Sequence, residues 1–275
     1  MELFYRRLGM GKPLVILHGL YGSSDNWHTI GRQLSESREV FLVDWRNHGH
    51  SPHHPDHTYS ALRDDLHEFL VQHSIYKPVV MGHSMGGRAA MFFAAMHPKL
   101  IEKLIVVDIS PCSYRAENHP NENLQHRSIL LALQSIDLSN LSSRTEAEDQ
   151  LAKTIQYPAV RQFLLKNLKK GHHKRYYWCL NLPALEKNLE EIFLGIDTLQ
   201  LPEGFQLDIP SLFIRGQHSG YIGKFDLDCI KRYFKNSTVI TIPGASHWVH
   251  AEQPGLFVKV VRNFLALPGG AAFQI

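Results

Sequence analysis

The chain has 275 residues, of which 44% are apolar and 10% aromatic, and a formal net charge of +3 at pH 7. That length holds one large domain or a core with an inserted segment, and the apolar share is enough to bury a sizeable core. The charges are scattered, no RNA- or DNA-binding motif accompanies the one basic cluster (Lys169-Lys170 and His172-His173-Lys174-Arg175), and no apolar stretch approaches the roughly 20 residues of a membrane span, so neither a nucleic-acid partner nor a membrane anchor is expected.

In chain order, residues 2–8 suit an antiparallel edge strand. Continuous apolar runs follow at 14–17, 40–43, 79–81, 104–107, 212–214 and 238–242. Unbroken rather than alternating hydrophobicity marks strands buried on both faces, as in a parallel sheet. Helical patterns lie between them at 26–34, at 60–74 with Ser60 as N-cap, at 85–96 before His97-Pro98, and at 254–265 opening on proline. Alternating strand and helix predicts a doubly wound, mostly parallel α/β sheet. From 111 to 209 the alternation stops. Helical patterns dominate there, at 124–133, 144–155, 159–168 and 185–193, with no convincing buried strand. This predicts a core built from 1–110 and 210–275 and a helical cap inserted at 111–209. The tail at 268–272 is expected to be loose. Cys112, Cys179 and Cys229 show no paired spacing and no CxxC, and the N-terminus lacks an apolar signal core, so a reducing, cytoplasmic setting is expected.

The most informative segment is Gly82-His83-Ser84-Met85-Gly86. It follows an apolar run and leads into a helical stretch, the context of a nucleophile elbow. There a strained turn lifts a serine hydroxyl out of the sheet. Glycines two positions either side of Ser84 avoid the collisions that side chains would cause. A serine hydroxyl is a poor nucleophile at neutral pH and needs a base, an acid behind that base, and donors for the oxyanion. His247 follows the last predicted strand, on the catalytic edge of an open α/β sheet, with His250 as its rival. The N–H of Met85 and that of Leu20, after His18-Gly19, are the candidate oxyanion donors. Gly19, Tyr21, Trp178 in the insert and Trp248 are the candidate substrate-binding residues. His53, His54 and His57 lack a clear ligand set, so neither a metal nor a cofactor is expected.

With His18-Gly19, Asp44-x-Arg46-x-His48-Gly49-x-Ser51, Gly82-x-Ser84-x-Gly86-Gly87 and Gly244-x-Ser246-His247 in this order, the chain resembles the α/β-hydrolase superfamily, in particular small serine esterases and thioesterases. Most members carry the acid three residues past a glycine after the penultimate strand. Here that position is Ser219, in Arg215-Gly216-Gln217-His218-Ser219. Some small esterases carry it one strand earlier, and Val107-Asp108-Ile109-Ser110-Pro111 looks like that subgroup. The resemblance therefore implies Asp108, with Asp226, Asp228 or no acid at all as alternatives, and a structural role for the Asp44 loop. It implies a cofactor-free serine hydrolase for a small carboxylic ester or thioester, acyl-CoA included, acting as a monomer or homodimer. The basic cluster near 169–175 is the candidate contact for CoA phosphates. A carbon–carbon hydrolase or lyase for a carboxylated metabolite, with Arg88 in a cationic pocket, is the alternative within the fold. A non-hydrolytic ligand receptor is the alternative outside enzymes.

Overall fold

The computed structural model describes residues 1–114, 119, 122–171 and 175–267. The tail at 268–272 and residues 172–174 of the basic cluster lie outside the described residues. In chain order the elements are β1 (Tyr5–Leu8), β2 (Pro13–Leu17), α1 (His28–Leu34), β3 (Glu39–Val43), α2 (Tyr59–Gln72), β4 (Val79–His83), α3 (Met85–Met96) and β5 (Lys103–Val107). They continue with α4 (Glu122–Gln134), α5 (Arg144–Ala152), α6 (Pro158–Leu165), β6 (Leu168–Lys170), β7 (Tyr176–Trp178), α7 (Leu182–Lys187) and α8 (Leu189–Ile192). The last are β8 (Ser211–Gly216), α9 (Lys224–Tyr233), β9 (Ser237–Ile242), α10 (Val249–Glu252) and α11 (Pro254–Ala266).

Seven strands form one sheet in the order β1-β3-β2-β4-β5-β8-β9. β1 is antiparallel to β3, and every other pairing is parallel. Each apolar run supplies both faces, because neighbouring residues of a strand point to opposite sides. Val15, Leu17, Val80, Leu104 and Val106 pack on one side with α2, α3 and the helices between β5 and β8. Leu14, Ile16, Met81, Ile105 and Val107 pack on the other with Trp27, Ile30 and the α11 residues Phe257, Val261 and Phe264. The doubly wound α/β class expected from the sequence is therefore the observed one.

Several local expectations change. α2 begins at Tyr59, and Thr58 rather than Ser60 caps it by accepting the Ala61 N–H at 3.3 Å. The pattern at 159–168 ends early, and Leu168 instead opens the two-stranded β6–β7 hairpin. The pattern at 185–193 is two short helices. α9 escaped the periodicity because the face it buries is Asp226, Cys229 and Ile230, only one of which is a large aliphatic residue. Among the described residues no helix is long and apolar enough to cross a membrane.

The cysteines also depart from expectation. Cys112 and Cys229 form a disulfide across 117 residues, and only Cys179 is free, buried with its thiol pKa pushed up by desolvation. Linear spacing carries no trace of this pair, since the fold alone brings the loop after β5 against α9. Closing so long a loop restricts the unfolded chain. Cys229→Ser is expected to lower the free energy of unfolding by about 4–5 kcal/mol in the chain-entropy account. Urea unfolding of oxidised wild type, dithiothreitol-treated wild type and the variant measures this, and the last two are expected to coincide.

Candidate active site

β4 ends at His83, and α3 starts at Met85. Ser84 between them has φ 51° and ψ −122°, a conformation that L-residues rarely adopt. Its flanking glycines are required sterically. A Cβ on Gly82 would lie 2.2 Å from the Gly86 carbonyl oxygen, and one on Gly86 would lie 2.5 Å from the His18 and Leu17 carbonyl oxygens. The first N–H groups of α3, beginning with Met85, have no partner within the helix.

The neighbouring turn at 19–22 is packed directly against the serine: a Cβ on Gly19 would stand 3.1 Å from Ser84 Cβ. Gly22 N–H donates to the Gly19 carbonyl at 2.9 Å, and Tyr21 N–H donates to His48 Nε2 at 3.2 Å. Neither bond uses the Leu20 N–H. Tyr21 has φ 61°, and its carbonyl accepts from Asn167 Nδ2 at 2.7 Å, which ties the turn to the segment between β5 and β8.

Asp108 directly follows β5. It is fully buried, and its carboxylate collects three donors. Oδ1 accepts the Gly216 N–H at 3.0 Å, and Oδ2 accepts both His247 Nδ1 at 2.8 Å and the Ser219 hydroxyl. A buried carboxylate persists when its lone pairs are filled in this way. With Nδ1–H donating, the neutral ring of His247 carries its lone pair on Nε2. The ring stacks on Tyr221 at 3.9 Å, and its backbone carbonyl accepts from His83 Nε2 at 2.9 Å. Ser84 and His247 line one cavity of about 510 Å³ together with Gly19, Leu20, Tyr21 and Trp248. Its outer wall is Val160, Phe163 and Leu164 of α6.

The alternative residues fall elsewhere. Asp226 accepts the Gly223 N–H at 2.8 Å and pairs with His119 at 3.3 Å at the start of α9, while Asp228 is exposed. His250 lies beneath the site, stacked on Trp27 at 4.0 Å. Trp178 sits opposite Leu168 in the β6–β7 hairpin and does not line the cavity, because the hairpin turns it onto the core. Arg88 is buried and spends its donors on the carbonyls of Ser110, Ile192 and Cys112, with its guanidinium 4.0 Å above Tyr114. It ties α3 to the loop after β5 and to α8, with its donors already committed. His57 is buried, its Nδ1 3.3 Å from Asn47 Nδ2, and His53 reaches the Cys179 carbonyl at 3.1 Å. Among the described residues no group of three or more His, Cys, Asp or Glu side chains is arranged to hold a metal. Asp44 accepts the backbone N–H groups of Ser24 and His50, at 2.5 and 2.9 Å, beneath the site.

Sequence reasoning missed Tyr221 and His126 as lining residues. It noted Ser219 only as the place where an acid is lacking, yet that hydroxyl donates to the Asp108 carboxylate one strand over.

Burial lowers the pKa of His18, His48, His57, His83, His126 and His250, to about 3 for His57 and His250 and about 4 for His126. An unfolded histidine binds its proton below about pH 6.5. Between there and pH 3–4 the unfolded chain thus holds more protons, and stability falls as pH falls. The loss is expected to reach up to about 1.4 kcal/mol per pH unit for each such ring. Urea midpoints from pH 7 to pH 4 measure it. A flat midpoint would contradict neutral buried rings.

Residues 12–254 match the family model described as the alpha/beta hydrolase fold. The chain is 41% identical over 261 residues to the sn-1-specific diacylglycerol lipase ABHD11 of Danio rerio, covering 94% of this chain and 79% of that protein. It is 33% identical to the esterase YbfF of Escherichia coli strain K12, covering 92% of each. A solved marine microorganism esterase superposes with a TM-score of 0.90 at 43% identity, covering 96% of this chain and 99% of that one. The chain belongs to the α/β-hydrolase fold family.

Proposed function

We propose that this hydrolase is a serine esterase acting through Ser84, His247 and Asp108. Ser84 Oγ attacks the ester carbonyl as His247 Nε2 takes its proton, and Asp108 holds the ring and offsets its charge. The N–H groups of Leu20 and Met85 receive the oxyanion. The imidazolium then gives its proton to the leaving alcohol, and an acyl-enzyme remains. Water, deprotonated by the same ring, attacks the acyl carbonyl and releases the carboxylic acid and Ser84. The observation that carries this reading is the 2.8 Å bond from His247 Nδ1 to Asp108 Oδ2, with Ser84 at a strained elbow in the same cavity.

The substrate class is carboxylic esters of short to medium acyl chains, with acyl-CoA thioesters as the second class. The apolar α6 wall favours an aliphatic chain. Residues 111–209 act as a cap over the site. The carbon–carbon hydrolase reading loses its cation, since the Arg88 donors are committed to carbonyls. Turnover of p-nitrophenyl esters and CoA thioesters from two to sixteen acyl carbons, with fluorophosphonate labelling of Ser84, tests the proposal. Cleavage of short esters and stoichiometric labelling are expected; the absence of both would remove the reading, and a lone preference for thioesters would reassign the substrate class.

A further inference from the structure

A small pocket adjoins the main cavity at Ser84, and among the described residues four line both: Leu20, Ser84, Tyr221 and His126. The first two belong to the proposed chemistry, and the third stacks on His247. His126 has no part in it, although it stands at the same junction and comes from α4 in the inserted segment.

His126 is held there from two sides of the site. Its carbonyl accepts the Tyr21 hydroxyl at 3.3 Å, and its Nε2 lies 3.4 Å from the Tyr221 hydroxyl. The latter contact is long for a hydrogen bond. The other ring nitrogen, Nδ1, is buried and has no hydrogen-bond partner among the described residues. Buried polar atoms are nearly always satisfied, and a polar group of a substrate in the cavity that His126 shares with Ser84 would supply the missing partner. Burial, reinforced by the nearby His247, keeps the ring neutral at pH 7, its pKa lowered to about 4. A neutral imidazole offers one donor and one acceptor and no charge. It suits a hydroxyl or carbonyl rather than a carboxylate or phosphate. Ile109, Ile192 and Phe193 stand around it in the small pocket, with Tyr59, Arg88 and Tyr114, whose polar atoms are already bonded to backbone carbonyls.

Tyr221 links the His126 ring to His247, and both histidines line the main cavity. His247 Nε2 hands its proton to the leaving oxygen, and Tyr221, stacked on His247, is the residue that reaches His126. We infer that His126 is a specificity residue that hydrogen-bonds a hydroxyl or carbonyl on the leaving alcohol, two or three bonds from the ester oxygen; this rests on the serine-esterase reading above.

The test compares kcat/KM for 2-hydroxyethyl butyrate and ethyl butyrate, each divided by its hydroxide-catalysed rate to remove intrinsic reactivity. Fluorophosphonate titration of Ser84 counts the folded sites in every variant. Wild type is expected to favour the hydroxyethyl ester by about 5- to 10-fold, the scale of one hydrogen bond. In His126→Leu the ratio is expected to fall to about one. His126→Gln, which keeps a donor and an acceptor, is expected to retain a several-fold preference. A wild-type ratio near one with both esters cleaved would overturn the role of His126 alone, and so would a preference that survives in His126→Leu. Cleavage of neither ester with no label on Ser84 would overturn the esterase reading, and this inference with it.

Discussion

Ser84→Ala is expected to lower kcat for a short activated ester by about 10⁴- to 10⁶-fold, the scale on which serine triads lose their nucleophile. The melting temperature is expected to stay within a degree or two, because alanine fits the same turn and removes no core contact. Ser84→Gly separates strain from chemistry. The serine is held at φ 51°, where glycine is at ease, so glycine should stabilise the fold by about 1 kcal/mol while abolishing turnover equally. A gain in stability together with lost activity would show that the elbow conformation is maintained against local preference by the packing around it. Turnover close to wild type in either variant would dismiss Ser84 as the nucleophile.

Asp108→Asn is expected to reduce kcat by about 10⁴-fold with the structure preserved. Asp108 has φ 53°, a region asparagine also tolerates, and an amide fills nearly the same volume. The chemistry changes completely. Oδ2 now accepts from His247 Nδ1 and from the Ser219 hydroxyl. An amide nitrogen facing His247 would force its proton to Nε2, where the lone pair is needed. The matched control is Asp226→Asn. It lies at the start of α9, away from His247, and should cost stability through the helix terminus while leaving kcat alone. If Asp226→Asn lost activity on the same scale as Asp108→Asn, the assignment of the acid would be wrong. Ser219→Ala is expected to have a smaller effect, within about tenfold, since it removes one of the three donors to the carboxylate and leaves the pair with His247.

Two physical regimes separate what was legible from what was not. Strands buried on both faces must be apolar throughout, so the runs at 14–17, 40–43, 79–81 and 104–107 were plain, and their alternation with helices specified a parallel sheet. The elbow was equally plain, because its glycines answer a backbone collision that is local in sequence: Gly82 meets Gly86 only four residues away. Thr58 was missed as a cap because Ser60 offered the same chemistry two residues on. α9 was missed because it buries an aspartate and a cysteine, and the cysteine is explained only by its partner 117 residues earlier.

The sheet, the elbow turn and the placement of His247 just past the last strand are readable along the chain, since each depends on contacts within a few residues or on periodic burial. Long-range packing sets which aspartate faces His247, brings Ser219 to that aspartate, turns Trp178 away from the cavity while Trp248 lines it, and carries His126 from another part of the chain to the cavity that Ser84 lines. These are meetings between residues tens to hundreds of positions apart. No local pattern encodes them, because the chain's own packing sets the distances.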